Sequence, residues 1–276
     1  MLPQRVACAA HAAVGGRPVK FLRGGAWLPP TVFGAGALGL WELVLWATDP
    51  EGFVLPRPSE IAIALGENIS EVWVASRVTG FIIGSGLAGG VVLGAVAALI
   101  VIRFRTANET LTPLAVAINA IPIIALAPLF NNWLGITSPR SNQAVVVLLV
   151  FFPVFINTAR GLSEVDDEQI ELMQSYAASD WRIMRTVRIP NALPFFFTAL
   201  RLVASLAVIA AIVVEYFGGR QDTLGNIITQ NAQFTRYDVA WAAVVAGSLV
   251  GIALYFAALI LERLVTGRYA RATTAA

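Results

Sequence analysis

The chain has 276 residues, of which 57% are hydrophobic and only 13% are charged, with a mean hydropathy of +0.73 and a formal net charge of +2. This composition excludes an ordinary soluble globular protein and indicates an integral membrane protein. A single cysteine, Cys8, excludes an internal disulfide, and the sequence carries no metal-binding, nucleotide-binding or catalytic nucleophile motif. We therefore expect neither a catalytic residue nor a metal site in this chain.

Residues 1–28 precede the first apolar run and are predicted to form a flexible tail. They include several basic residues but lack the apolar segment that is typical of a secretory signal peptide. We assign no functional role to His11, because it lies in a part of this tail that is rich in glycine and alanine.

Six apolar runs are each long enough to cross the roughly 30 Å hydrocarbon core of a bilayer. They predict an all-α integral membrane protein with six transmembrane helices, in which a peripheral first span precedes a five-span core over 77–262. Pro113, Pro122 and Pro128 interrupt the third run, which is typical either of a helix that lines a pathway or of a merely kinked helix. The runs are 29–48, 77–102, 111–131, 143–160, 192–217 and 239–262.

Residues 49–76 separate the first two spans and are expected to lie outside the cell. Pro56 and Pro58 indicate a rigid turn, and Ser59 is placed to cap the helix that follows. That helix, over about 59–73, is predicted to lie at the membrane interface because apolar residues recur along one of its faces. These residues are Ile61, Leu65, Ile69 and Trp73.

Glycines crowd the second predicted span. Small residues at such spacings allow membrane helices to approach each other closely. We interpret these glycines as a packing surface without chemistry of its own. They are Gly80, Gly84, Gly86, Gly89, Gly90 and Gly94.

Basic residues are distributed unevenly between alternate loops, which predicts the orientation of the chain. By the positive-inside bias, both termini, including the tail over 263–276, and the loop between the fourth and fifth spans face the cytoplasm. The predicted cytoplasmic residues are Arg5, Arg17, Lys20, Arg23, Arg103, Arg105, Arg160, Arg182, Arg185, Arg188, Arg263, Arg268 and Arg271, against Arg57, Arg77, Arg140, Arg220 and Arg236 outside.

A polar insert, residues 163–190, lies between the fourth and fifth spans. Ser163 is predicted to cap a first helix with an acidic opening turn, and Ser179 or Asp180 to cap a second short helix that Pro190 and Pro194 end. Short helices with a few apolar side chains rimmed by charge fit either a groove on another protein or the surface of the bilayer. The apolar positions are Leu172, Met173, Tyr176, Ala177, Trp181, Met184, Val187 and Ile189.

The insert resembles the cytoplasmic loop of ABC importer permeases, in which E-A-A-x-x-x-G-A is followed some ten residues later by a hydrophobic residue and proline. Here Glu171-Leu172-Met173 stands at the first part of that motif, Ala177-Ala178 at the second and Ile189-Pro190 at its end. Over about 38–265 the chain is similar in particular to the nitrate, taurine and alkanesulfonate group of these permeases. The matching segments include Leu55-Pro56, Pro58-Ser59-Glu60, Ile121-Pro122, Ala127-Pro128-Leu129, Phe151-Phe152-Pro153-Val154, Asn157-Thr158, Gly161-Leu162 and Val165-Asp166.

This resemblance implies a fold like that of type I ABC importer permeases and a function in ATP-driven import. Two permeases, either two copies of this chain or this chain and a homologous permease, would form a pore in the membrane lipid. A dimer of ATPases would bind ATP and Mg on the cytoplasmic side, and an external binding protein would deliver the solute. The chain itself would then be no enzyme, and no nucleic acid partner is implied. The implied contacts with the ATPase are Glu171, Met173, Tyr176, Ala177, Asp180, Trp181 and Pro190.

Two departures from the family motif affect this interpretation. Ala177 replaces the glycine, and Leu172-Met173 replaces two alanines. Glycine adopts a positive φ at little cost whereas alanine does not. Either the turn at Ala177 is therefore conventional, or the groove on the partner differs in shape. One hypothesis is a heterodimer in which the second permease keeps the standard loop.

Polar groups within the spans are candidates for the translocation pathway, because a charge at mid-membrane costs about 2.5–3.5 kcal/mol on insertion scales. Arg201 is expected either to attract an anionic solute or to tie helices together. Glu215 is expected to face water or to brace a gate, and it lies roughly 21 Å from Arg201 along the helix, too far to pair with it. Glu42 is expected at the membrane interface. The candidate set is Asn119, Pro122, Asn157, Arg201 and Glu215, in which the asparagines bond either the solute or another helix.

The main alternative is a secondary transporter or channel that works without an ATPase. Such a protein would have the spans but would not need the long polar insert. An intramembrane enzyme is a weaker alternative, because no nucleophile and base or metal-binding set is present. The permeases that the chain resembles move nitrate, taurine, sulfonates, bicarbonate or pyrimidine vitamin precursors, and the sequence chooses only weakly among these solutes.

Overall fold

A computed structural model describes residues 28–48, 55–218 and 220–273 of the chain, so the predicted tail up to residue 27, with Cys8 and His11, lies outside the described residues. The chain forms a 3-10 turn over Ile123–Leu126 and a π-helical turn over Met184–Arg188. In chain order the helices are α1 Leu28–Thr48, α2 Pro58–Glu67, α3 Ile69–Val101, α4 Arg105–Asn119, α5 Ala127–Leu134, α6 Pro139–Ser163, α7 Asp167–Ser175, α8 Asp180–Ile183, α9 Ile189–Tyr216, α10 Leu224–Gln233 and α11 Tyr237–Thr273.

Five stretches of helix within the described residues are long and apolar enough to cross a membrane. The helices Glu109–Asn119 and Ile123–Leu134 meet at a bend of 74° and make a sixth span if they are counted together. The predicted all-α fold with six apolar segments is confirmed, but the third segment is broken at Pro122, which lacks the N–H needed to continue a helix. The five stretches are Pro29–Thr48, Ile69–Val101, Pro139–Ser163, Asp180–Tyr216 and Tyr237–Thr266.

The described residues divide into two compact units, of which the first comprises 28–48 and 57–59. Within it, the Glu42 carboxylate accepts hydrogen bonds from the backbone N of Ser59 at 3.1 Å and from its Oγ at 2.7 Å. Ser59 lies in the first turn of α2, so its predicted role as the helix cap is wrong. Its hydroxyl hydrogen bonds a carboxylate 17 residues earlier instead.

The second unit holds the remaining helices, with α6 at its centre. One face of α6 packs against α3 and another against α9, and these are the most extensive contacts between helices of this unit. Val146, Val150 and Val154 of α6 are fully buried between Ile83 of α3 and Val203 of α9. Lipid tails are as apolar as these side chains, so close van der Waals packing is what favours this arrangement.

Three of the glycines in α3 allow this close approach to α6. A Cβ atom at Gly90 would lie 2.6 Å from the Cβ of Val150, and one at Gly86 would lie 2.7 Å from the Cβ of Val146. Gly94 is placed against the backbone of α6 in the same way. The predicted packing role is confirmed for these three positions, whereas an added Cβ at Gly80 or Gly84 would meet nothing within 4 Å in the described part of this chain.

The predicted interfacial helix over 59–73 does not exist as one element. α2 ends at Glu67, and Ile69 and Trp73 belong to the long helix α3, which begins eight residues before the predicted start of the second span. The chain turns at Asn68, whose side-chain Nδ2 donates a hydrogen bond to the carbonyl of Ala64 at 2.8 Å. The backbone N–H of Asn68 also donates to the carbonyl of Ala64, at 3.0 Å, so the interruption is confined to Asn68, whose ψ is +20°.

Candidate functional site

The polar insert forms two short helices, α7 and α8, joined by a turn over residues 176–179. Two large side chains of the insert stand out, because Tyr176 is 75% exposed and Trp181 is 70% exposed. Glu171, Ala177 and Asp180 are also exposed, whereas Met173 and Pro190 are half-buried. The insert therefore presents aromatic side chains among charged ones on an accessible surface.

The turn at Ala177 has the left-handed geometry that glycine usually adopts. Ala177 has φ +53°, its N–H donates to the carbonyl of Gln174 at 2.8 Å, and the N–H of Ala178 donates to the carbonyl of Met173 at 3.0 Å. These two bonds form a Schellman motif, which closes the end of α7. Of the two alternatives raised by the sequence, a conventional turn is therefore wrong, because alanine here adopts the strained conformation.

The base of the insert is tied to the end of α6 by two residues that the sequence analysis missed. Arg188 donates from Nη1 to the carbonyl of Leu162 at 2.9 Å. Asn191 donates from Nδ2 to the carbonyls of Gly161 at 2.8 Å and Glu164 at 2.7 Å. The carbonyls at a helix end have no partner within their helix, so these bonds satisfy them. No sequence signal marks the pairs, because the partners lie 26 to 30 residues apart.

Two predicted boundaries of the insert are wrong. Ser163 is the last residue of α6, not a cap of the first insert helix, and its Oγ donates to the carbonyl of Ala159 at 2.9 Å. Pro190 does not end the second helix of the insert, because helix continues from Asp180 to Tyr216. The N–H of Ile189 bonds the carbonyl of Met184 five residues back, and this wider π-helical turn lets the helix pass Pro190 without a break.

The break in the third apolar segment opens onto a cleft of about 600 Å³ between α4, α6 and α9. Asn119, Pro122 and Asn157, three of the residues predicted for the translocation pathway, line it together. Leu202 and Leu206 of α9 form the opposite part of its lining. The structure thus brings together residues from helices that are distant in sequence.

The other two predicted pathway residues lie elsewhere. Nη1 of Arg201 is 3.3 Å from Oε2 of Glu262, which joins α9 to α11. Glu215 is only 2% exposed and accepts hydrogen bonds from Thr79 Oγ1 at 3.0 Å and from the N–H of Gly225 at 3.0 Å. Its carboxylate therefore binds the first turn of α10, where helix N–H groups are otherwise without partners.

The loop between α9 and α10 carries an ion pair outside the membrane-spanning segments. Arg220 donates from Nε to Asp222 Oδ1 at 2.8 Å and from Nη2 to Oδ2 at 2.5 Å. This hydrogen-bonded guanidinium holds the pKa of the Asp222 carboxyl below its ordinary value. In the part of the chain that the structure describes, no group of three or more His, Cys, Asp or Glu side chains is placed to bind a metal.

A long central helix pair, a cleft at a broken apolar segment and an exposed polar insert define a helical membrane protein. The model of the family described as "Binding-protein-dependent transport system inner membrane component" matches residues 90–271, and the chain belongs to this family. The protein is thus a permease subunit of an ABC importer, which is a transport component.

The chain is 34% identical to the formylaminopyrimidine transport permease protein ThiX of Halalkalibacterium halodurans, over 84% of this chain and 92% of that protein. It is 26% identical to the putative aliphatic sulfonates transport permease protein SsuC of Bacillus subtilis, over 82% of each chain. A chain in the crystal structure of an amino acid ABC transporter has a similar fold, with a TM-score of 0.57 and 15% identity over 75% of this chain and 97% of that chain.

Proposed function

We propose that residues 163–190 couple this permease to a cytoplasmic ATPase, which binds ATP and Mg²⁺ and hydrolyses ATP in a separate chain. The exposed aromatic rings of Tyr176 and Trp181 support this role, because aromatic side chains beside charged ones are typical of a short helix that fits a groove on a partner. The contact set is Glu171, Met173, Tyr176, Ala177, Asp180, Trp181 and Pro190.

The observation that carries this proposal is the continuous helix from Asp180 to Tyr216. It starts inside the insert and reaches the cleft, where Leu202 and Leu206 form part of the lining. Asp180 and Leu202 are separated by roughly 30 Å along the helix axis. A displacement of the insert by the ATPase would therefore move one wall of the cleft directly.

The proposal also includes the remaining partners of the permease and its orientation in the membrane. Two permeases, two ATPases and an external binding protein form the importer, with the second permease either a copy of this chain or a homologue. The insert and both termini face the cytoplasm, in keeping with the excess of arginine and lysine in the loops on that side. Binding by the external protein supplies the solute, which is small and belongs to the classes that related permeases carry.

The cleft lined by Asn119, Pro122 and Asn157 forms part of the translocation pathway. Its support is the position of the cleft at a broken helix, since irregular backbone at membrane depth is tolerated where it lines a cavity. Arg201 and Glu215 act from outside the cleft by joining helices, through Glu262 in one case and through the start of α10 in the other.

Substitutions in the insert test the coupling role. We expect Ala177→Asp to abolish ATP-driven uptake and co-purification of the ATPase while the protein still inserts. Aspartate tolerates the left-handed conformation, so the added charge and not the backbone would be responsible. We expect Trp181→Ala to weaken co-purification of the ATPase at least tenfold, about the effect of removing a central interface aromatic.

Trp133→Ala is the matched control, because Trp133 is 69% exposed and is separated from the insert by the whole length of α6. This variant should retain the ATPase at the level of the unmodified protein. Normal uptake by the Ala177→Asp variant, or equal loss of the ATPase from both tryptophan variants, would contradict the coupling role.

A further inference from the structure

We propose that the cleft at the broken helix carries an uncharged heteroaromatic solute and not an inorganic or sulfonate anion. This inference rests on the proposed function, in which the cleft is part of the translocation pathway. The named solutes of the relatives include both a pyrimidine and aliphatic sulfonates, so the chemistry of the cleft has to distinguish the two classes.

The lining of the cleft is apolar and holds no charge. Every lining residue except Asn119 and Asn157 is aliphatic or proline, and none is an arginine, lysine or histidine. An anion that leaves water for such a surface loses its hydration without gaining an opposite charge, which is costly. A flat uncharged ring instead gains contact with the aliphatic side chains and the two proline rings, Pro122 and Pro153.

The arginines nearest in sequence to the lining residues are already engaged. Arg201 directly precedes Leu202, but its guanidinium pairs with Glu262 at 3.3 Å and it is not part of the lining. Arg160, four residues after Ile156, bonds from Nε to Oε1 of Glu164 at 2.6 Å. An anion in the cleft would have to compete with a carboxylate for either cation.

The polar groups of the cleft suit a solute that both donates and accepts hydrogen bonds. Asn157 donates from Nδ2 to the carbonyl of Pro153 at 2.8 Å, and its Oδ1 makes no hydrogen bond to any described residue. The Asn119 side chain makes no hydrogen bond within the described part of the chain, so it offers both a donor and an acceptor.

The size of the cleft fits the same class of solute. Its volume of about 600 Å³ lies within the range of roughly 300–1,000 Å³ that is typical of small-molecule sites. A pyrimidine or a flavin ring system with amino and carbonyl substituents matches the combination of aliphatic walls and two amide side chains. A nitrate ion would leave most of these walls without contact.

The test is ATP-driven uptake into proteoliposomes that contain the complete importer, with its ATPase and its binding protein. Labelled formylaminopyrimidine and riboflavin serve as uncharged heteroaromatic probes in mildly alkaline buffer, and butanesulfonate and nitrate serve as anionic probes. We expect uptake of at least one heteroaromatic probe at a rate at least about tenfold above that of either anion, since the anions find no compensating charge. ATP-driven uptake of an anion, or uptake of neither heteroaromatic probe, overturns the inference.

Two asparagine variants test whether the uptake of the heteroaromatic solute depends on the cleft. Asn157→Leu and Asn231→Leu each remove a hydrogen bond from Nδ2 to a carbonyl four residues back, but only Asn157 lines the cleft. We expect Asn157→Leu to reduce heteroaromatic uptake about tenfold and Asn231→Leu to change it less than twofold, in line with the loss of one hydrogen bond to the solute. Equal uptake by the two variants overturns the inference.

The same measurements separate this inference from the proposed function. If an anion is taken up in an ATP-dependent manner, the coupling to an ATPase stands and only the solute class is wrong. If no ATPase co-purifies with the permease and ATP drives no uptake of any probe, the proposed function and the inference are both wrong.

Discussion

At the scale of single residues, Ala177 has the least expected conformation in the insert. A left-handed conformation costs an L-residue other than glycine roughly 1–2 kcal/mol. The Schellman hydrogen bonds that close α7 require this conformation at position 177, so the backbone of the turn determines it despite the strain. Strain of this kind occurs at functional sites, where surrounding structure maintains it.

Replacing Ala177 with glycine should stabilise the turn, because glycine adopts φ +53° without steric conflict. We expect Ala177→Gly to raise the free energy of unfolding of the purified permease by about 1 kcal/mol. The measurement is thermal or denaturant unfolding of the detergent-solubilised protein. Ala178→Gly is the control, since Ala178 has no positive φ and glycine there only adds flexibility to the unfolded chain. A gain at position 178 equal to that at 177 would rule out relief of strain as the cause.

At the scale of secondary-structure elements, the packing of α3 on α6 depends on which face of α3 each glycine occupies. Gly86, Gly90 and Gly94 recur every four residues and therefore lie on one face, which meets α6. Gly84 lies on a different face and has open space around it. The composition of α3 does not distinguish these glycines from one another. They differ in the face of the helix that each one occupies.

Alanine substitutions in α3 should show this difference. Gly90→Ala places a Cβ 2.6 Å from that of Val150 and 2.7 Å from the carbonyl oxygen of Val147, so the two helices must separate. We expect a loss of about 2–3 kcal/mol in the free energy of unfolding. Gly84→Ala is the matched control in the same helix and should be neutral or stabilising by up to about 1 kcal/mol. Equal effects of the two substitutions would mean that α3 and α6 do not pack as described.

At the scale of the whole molecule, α6 separates two ends of the protein that we expect to face opposite sides of the membrane. Its first residues follow α5, and its last residues lead directly into the insert. A helix of 25 residues is about 37 Å long, enough to cross the hydrocarbon core. A cytoplasmic ATPase can reach the insert only if the insert faces the cytoplasmic side of the membrane.

Cysteine labelling tests this orientation in intact cells. In a Cys8→Ser background, we expect a membrane-impermeant maleimide to label Thr137→Cys from outside, because Thr137 is exposed just before α6 begins. Ser175→Cys, at the exposed end of α7, should be labelled only after the cells are permeabilised. Labelling of Ser175→Cys in intact cells would contradict both the orientation and the proposed contact with an ATPase.

The local properties of the sequence were sufficient to predict a helical membrane protein and most of its elements, while the resemblance of its motifs to a family of permeases predicted its function. Runs of apolar residues identify membrane helices because a helix must be apolar over the fixed thickness of the hydrocarbon core. Pro122 indicates the break in the third segment because proline lacks the N–H that a helix needs. The polar insert was predicted for the same reason, since 28 residues with this much charge are excluded from the hydrocarbon core. Local signals were less reliable at boundaries, where Ser59 and Ser163 resemble caps but bond to other groups.

The tertiary structure alone decided which residues meet. Thr79 and Glu215 are 136 residues apart in sequence yet share a hydrogen bond, and Asn119 and Asn157 line one cleft although they belong to different helices. A sequence pattern indicates which residues share one face of a single helix. Contacts between distant residues depend instead on how several helices cross. Hydrophobicity and proline placement therefore determined that this chain is a helical membrane protein with a broken third segment and a polar insert, and helix packing determined which of its polar groups surround the cleft and which only hold helices together.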